Sequence, residues 1–219
     1  MSKHQPIIDS ILKQGMVPLF FFEDAEVSLE ITRALYRAGN HVLEYTNRGP
    51  EALENFKLLK KAQQTEMPDL YLGIGTIKTE QDAHDFIDAG ADFIIAPIVN
   101  PAVAKITHDN NLLWCPGCMT PTEIFLAQQN GAALIKLFPA NILGAEFMSS
   151  IRELFPGQLF MPTGGVEMNV ENIGKWFKAG VCAVGMGSKL ITKDILAKKL
   201  YNELYLNTQE ALKLVQQAR

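Results

Sequence analysis

EQDAHDFIDAGADFIIAP, residues 80–97, reads as a helix that stops and a strand that follows. The first part has helical composition, Ala-Gly at 89–90 is a helix-stop signal, and DFIIAP (92–97) is a short apolar run of the kind a buried strand shows. The same stop, AG followed by Asn, Ala or Val, recurs at 38–40, 89–91 and 179–181, with NGA at 130–132 as a variant. Working outward, strands are expected at 16–21, 41–46, 70–75, 92–97, 112–117, 133–138, 158–165 and 181–187. Helices are expected between them, at 27–39, 50–64, 80–90, 101–110, 120–131, 144–154 and 169–180. A lead-in helix over 4–14 precedes the first strand, and the chain from about 192 is helical, with a break near Asn207. Strands that alternate with helices imply a parallel sheet. Eight such units, joined by short connections, predict one α/β domain over residues 1–219, a single (β/α)8 TIM barrel with a C-terminal helical extension. A doubly wound open sheet is the alternative, but no glycine fingerprint stands in the first turn.

Composition narrows the function classes. The 219 residues carry a net charge of −4, with 47% hydrophobic and 20% charged residues, as expected of a globular protein with a sizeable core. There is no basic footprint for nucleic acid and no apolar run long enough for a membrane span. The N-terminal MSKHQPIIDS lacks the pattern of a signal peptide. Three cysteines, an odd number, argue against a disulfide scaffold, and a cytoplasmic setting is expected.

Barrels of this kind work at the C-terminal ends of their strands, where the sequence gathers most of its informative residues. Strand two carries Glu44, with Arg48 beyond it; strand three ends in Gly75 and Thr76, and strand four in Pro97. ALIKLFPA (133–140) places Lys136 and Phe138 in an otherwise apolar strand. Lysine is rarely buried unless paired or functional. A desolvated lysine loses part of its preference for the ammonium form, and a neutral amine can form a Schiff base with a ketone. The plain alternative is a lysine at a strand end that snorkels to water. Glu44 has the setting of a general acid/base; its alternative is a structural ion pair with Arg48 or Lys136. PTGGV (162–166), with Thr163, Gly164 and Gly165, and GMGSK (185–189), with Gly185, Gly187 and Ser188, follow strands seven and eight. Backbone N–H groups in such turns suit an anion, which predicts a phosphorylated or otherwise anionic substrate tail. Cys115 and Cys118 form C-P-G-C, but no second pair completes a metal site. His4, His41, His84 and His108 stand away from the strand ends, so no metal or other cofactor is expected, and Trp114 and Trp176 read as packing residues.

Together LEYTNRG (43–49), GIGT (73–76), PG-x-x-TPTE (116–123), IKLFPA (135–140), PTGGV (162–166) and GMGS (185–188) resemble the 2-keto-3-deoxy-6-phosphogluconate (KDPG) / 4-hydroxy-2-oxoglutarate (KHG) aldolase family, in that family's order. The resemblance implies a metal-free, trimeric class I aldolase acting on pyruvate and an aldehyde, one that is phosphorylated in KDPG. It matches Lys136 to the Schiff-base lysine, Glu44 to the general acid/base, and Arg48 and Thr76 to the holders of the pyruvate carboxylate. Pro97 and Phe138 match residues that shape the pyruvate pocket, and Gly164, Gly165 and Ser188 match the phosphate-binding elements. Departures occur at Phe21, where arginine is common, at Gly49, where threonine is common, at APIVNP (96–101), and at Asn141, where an acid is often seen. They bear on the distal end of the substrate: the phosphogluconate, its galactonate epimer, or hydroxyoxoglutarate. An isomerase or epimerase of a sugar phosphate on the same barrel, and a metabolite sensor, are the competing readings; neither needs Lys136 as a nucleophile.

Overall fold

Helix starts are set by side chains that satisfy otherwise orphaned backbone N–H groups. In the computed structural model, which describes residues 4–219, Asp24, Thr79, Asn100, Thr120, Asn169 and Thr192 each cap a helix this way. Thr79 with Asp82, and Thr120 with Glu123, form reciprocal capping boxes. The helices are α1 (Gln5–Gln14), α2 (Ala25–Arg37), α3 (Ala52–Glu66), α4 (Glu80–Asp88), α5 (Pro101–Asp109), α6 (Pro121–Gln129), α7 (Ala140–Ile151), α8 (Val170–Ala179), α9 (Lys193–Lys198) and α10 (Tyr201–Ala218). The strands are β1 (Met16–Phe20), β2 (Val42–Thr46), β3 (Tyr71–Gly75), β4 (Phe93–Ile95), β5 (Leu113–Cys115), β6 (Gly117–Cys118), β7 (Leu134–Leu137), β8 (Leu159–Pro162) and β9 (Val184–Met186). The result is an α/β fold on parallel strands.

One sheet runs β5-β4-β3-β2-β1-β9 and the other β6-β7-β8, and every strand pair is parallel. A bridge between Thr163 and Gly185 joins the end of β8 to β9, and Cys182 N–H donates to Phe160 C=O at 3.0 Å below it. The expected fifth strand, 112–117, is interrupted: Pro116 has no N–H for the ladder, so pairing with β4 ends at Cys115 and pairing with β7 begins at Gly117.

Both faces of the strands are buried, as parallel strands require. One residue parity packs under the helices: Leu43, Tyr45, Leu72, Ile74, Ile94, Trp114, Ile135, Leu137 and Phe160 belong to the larger core. The other parity, with Val17, Val42, Phe93, Ile95, Leu113, Cys115, Leu134, Met161 and Ala183, forms a separate inner cluster drawn from both sheets. Ile7, Ile8 and Ile11 of α1 pack into that cluster, so the lead-in helix closes the end where the strands begin.

Two helical expectations change. α7 starts at Ala140 rather than 144 and breaks at Gly144, whose φ of 74° and ψ of 163° no helix accommodates. The C-terminal break falls at Lys199 (φ 55°), between α9 and α10, and not near Asn207. Leu204, Thr208, Ala211 and Val215 keep one buried stripe at helical spacing through α10. No helix among the described residues is long and apolar enough to cross a membrane.

Candidate active site

Glu44 is the third residue of β2 and Lys136 the third of β7. Period-two alternation gives them the parity of Val42 and Leu134, so both extend from the inner cluster one layer towards the strands' C-terminal ends. Residues 92 apart in sequence thereby meet: Lys136 Nζ lies 3.5 Å from Glu44 Oε1. Their side chains are 5% and 1% exposed. The contact is at the outer limit of a hydrogen bond. Glu44 Oε2 has no partner among the described residues. A buried pair held this loosely contributes little stability for its desolvation cost, an arrangement better suited to chemistry than to structure. Lys136 does not snorkel to solvent; its Nζ stands 5.2 Å from the Phe138 ring centroid instead. Glu44 pairs with Lys136 and not with Arg48.

Arg48 follows β2 on the exposed side, and it makes no ion pair among the described residues. It lines a cleft of about 290 Å³ together with Phe138, Thr163, Gly164, Gly165, Gly187 and Ser188. Thr163 is buried, and its Oγ1 has no partner among the described residues. Gly164 and Gly165 both have positive φ, 97° and 73°, and the turn they make lies against Asn141 at the start of α7. A Cβ at Gly165 would come within 2.6 Å of Asn141 Cβ, so glycine is needed there for space as well as conformation. Lys189 also faces the cleft, held at 3.0 Å by Glu167.

Thr76 and Pro97 sit at the ends of β3 and β4 and are both half-buried, but neither lines that cleft. Thr76 has φ 67°, a conformation that a β-branched residue rarely adopts. Such strain, of order 1–3 kcal/mol, gathers at functional positions. Pro97 lies beside β6, where its carbonyl would be 2.5 Å from a Cβ on Gly117.

Sequence reasoning missed the contribution of α9. Lys193 and Leu196 line the cleft, and Leu19 and Phe20 of β1, with Phe21 just beyond the strand, line it as well. The place of Phe21 at the end of the expected first strand marks it already, and the parity of β1 could have added Leu19, whereas nothing in the α9 sequence marks it as part of a site. Cys115 and Cys118 are buried free thiols. Burial pushes the Cys115 thiol up against the opposing field of Lys136, and burial with Glu123 nearby pushes Cys118 up to about 12. Among the described residues no group of three or more His, Cys, Asp or Glu is placed to hold a metal ion.

A family model described as "KDPG and KHG aldolase" matches residues 7–206. The 2-dehydro-3-deoxy-phosphogluconate aldolase of Dickeya dadantii (strain 3937) is 30% identical over 206 residues, spanning 93% of this chain and 94% of that protein. The KHG/KDPG aldolase of Escherichia coli (strain K12) is 29% identical over 206 residues, with the same coverage of 93% and 94%. Among solved structures, the KDPG aldolase from Legionella pneumophila, with pyruvate captured at low pH as a covalent carbinolamine intermediate, superposes with a TM-score of 0.84. It is 27% identical and covers 94% of this chain and 97% of its own.

Proposed function

Because the chain belongs to the KDPG and KHG aldolase family, we propose that it is a class I aldolase that cleaves a 2-keto-3-deoxy-4-hydroxy acid through a Schiff base on Lys136. The observation that carries this reading is the buried, loosely held Lys136–Glu44 pair, adjoining a cleft that the Arg48 guanidinium lines. The Lys136 amine adds to the C2 ketone, and loss of water leaves a protonated imine that can accept an electron pair. Glu44 takes the proton of the C4 hydroxyl, the C3–C4 bond breaks, and its electrons move to the imine nitrogen as an enamine. The aldehyde departs, the enamine takes a proton at C3, and water releases pyruvate and the free amine.

Arg48 and Thr76 hold the pyruvate carboxylate in this reading, the planar fork of Arg48 matching two oxygens, while Pro97 and Phe138 shape the pyruvate pocket. Thr163, Gly164, Gly165, Gly187 and Ser188 receive the distal group. KDPG is the substrate we propose first, giving pyruvate and glyceraldehyde 3-phosphate. The anion-suited turns and the adjacent Lys189 and Lys193 support a phosphate at that end. The galactonate epimer and the shorter KHG, which gives glyoxylate, belong to the same chemical class; the epimer differs in configuration at C4, and KHG ends in a carboxylate in place of the phosphorylated tail.

The reading takes residues 1–219 as one closed (β/α)8 domain in the cytoplasm. Support for closure comes from the Thr163–Gly185 bridge and from the inner cluster shared by both sheets. A homotrimer completes the proposal: Ile98, Met119, Phe125 and Ile142 expose large apolar side chains on the segments following β4, β6 and β7. Light scattering should give three times the monomer mass, and Phe125→Glu with Ile142→Glu should reduce it to one.

Borohydride reduction with pyruvate, followed by peptide mapping, tests the chemistry. A pyruvyl adduct on Lys136 that is absent in Lys136→Ala is expected, together with loss of cleavage. A folded protein that forms no adduct would overturn the class I mechanism.

A further inference from the structure

The inner face of β3 carries glycine at two successive positions, Gly73 and Gly75, and neighbouring side chains occupy both of the spaces they leave. At Gly73 the occupant is the Phe93 ring: a Cβ there would lie 2.2 Å from Phe93 Cε2. At Gly75 it is the Glu44 carboxylate: a Cβ would lie 1.8 Å from Oε1, 2.6 Å from Cδ and 2.8 Å from Cγ. The register explains the reach. Glu44 pairs with Gly73 and Thr46 with Gly75, so Gly75 is the diagonal neighbour of Glu44 towards the strands' C-terminal ends, the direction in which a strand side chain can lean. The oxygen that rests over Gly75 is the one that meets Lys136 Nζ at 3.5 Å.

We propose that Gly75 is a positioning residue for the reaction: its bare α-carbon is the seat that holds the Glu44 carboxylate against Lys136, and any Cβ at this position displaces that carboxylate from the reacting centre. Three atoms of one side chain fill the space, and real Cβ atoms do not approach others at 1.8 Å, so the carboxylate must move. An error of about 1 Å in a catalytic group can cost on the order of 100-fold in rate. The proposal rests on the acid/base role proposed for Glu44, and the test separates the two.

Gly75→Ala is expected to lower kcat about 100-fold, with KM changed only a few-fold. Borohydride still traps pyruvate on Lys136, while exchange of the pyruvate methyl protons with deuterium oxide falls with kcat. Glu44→Asp shortens the acid by one methylene, so it is expected to impair the parent protein yet raise the activity of Gly75→Ala at least tenfold when the two are combined. A merely structural glycine would not give that reversal of sign. Stability supplies an independent reading should Gly75→Ala unfold. A Glu44→Ala background removes all three of the atoms nearest the methyl group that Gly75→Ala introduces, so the double variant should fold and melt with the Glu44→Ala single variant. Gly75→Ala activity within threefold of the parent, multiplicative effects of the two substitutions, or a double variant that also fails to fold would each overturn the proposal. A Glu44→Gln variant that retains full turnover would instead remove the acid/base reading, while the melting-temperature coupling between Glu44 and Gly75 would still measure the seat.

Discussion

Lys136 shows what a single residue discloses and what it withholds. An ammonium-bearing side chain in the middle of ALIKLF is legible as an anomaly from sequence, because apolar strands exclude lysine unless it has a partner or a task. That its partner is Glu44, and that Arg48 stays free of ion pairs among the described residues, is decided by strand order. The cysteines carry the opposite lesson, since C-P-G-C looks reactive in one dimension. In the fold both thiols are buried and desolvation moves them away from the thiolate, Cys118 to about 12. Because the thiolate is the nucleophile, Cys115 and Cys118 should resist iodoacetamide in the native protein at about pH 8 and react only after denaturation. Peptide mapping of the alkylated sites reads this directly, and rapid native labelling of either thiol would contradict it.

At the scale of elements, caps and pairings carry predictions of stability. Burial alone would raise the Glu123 carboxyl, but the Met119 and Thr120 N–H groups and the Thr120 hydroxyl donate to it and together hold it below its ordinary 4.5. A carboxyl depressed on folding adds stability that is complete above its unfolded value and is lost as pH falls through the folded one. Glu123→Ala should therefore lower stability at pH 7, by less than about 1 kcal/mol because solvent screens this partly exposed group, and urea denaturation of variant and parent should converge in strong acid. A second element tie is Lys60 of α3 with Asp92, at 2.8 Å, where Asp92 Oδ2 also accepts from Leu72 N–H of β3 at 2.7 Å. Asp92→Ala leaves a buried ammonium and an orphaned N–H, an expected loss of about 3 kcal/mol measured by chemical denaturation. The broken fifth strand also belongs to this scale: Pro116 was visible in the sequence, but that it would hand pairing from β4 to β7 was not.

For the whole molecule, the inner cluster is the feature that ties both sheets together. Ile7, Ile8 and Ile11 of α1 complete it from the end opposite the cleft. Ile11, 2% exposed, should cost about 2–5 kcal/mol on truncation to alanine. Thermal unfolding should fall accordingly while pyruvate trapping on the folded protein persists, because α1 lies a full layer below Lys136. Parallel loss of trapping and stability would mean that α1 reaches the site as well as closing its base. Arg219 reinforces this end, donating to the Leu12, Lys13 and Cys182 carbonyls and stacking on Phe177.

Alternation of strand and helix, the repeated Ala-Gly stops, and the residue types at the strand ends were determined by the sequence alone, because capping, periodicity and burial preference act over a few neighbouring residues. Parity along each strand went further: Glu44, Gly75, Lys136 and Thr163 share the inward register as a consequence of period two. Tertiary structure decided what crosses between elements. It brought Glu44 to Lys136 across 92 residues, left the Glu44 carboxylate over Gly75, added Lys193 and Leu196 of α9 to the cleft, and moved the C-terminal break to Lys199. These are properties of close packing between segments distant in the chain, where the space one residue leaves is filled by another that no local pattern names.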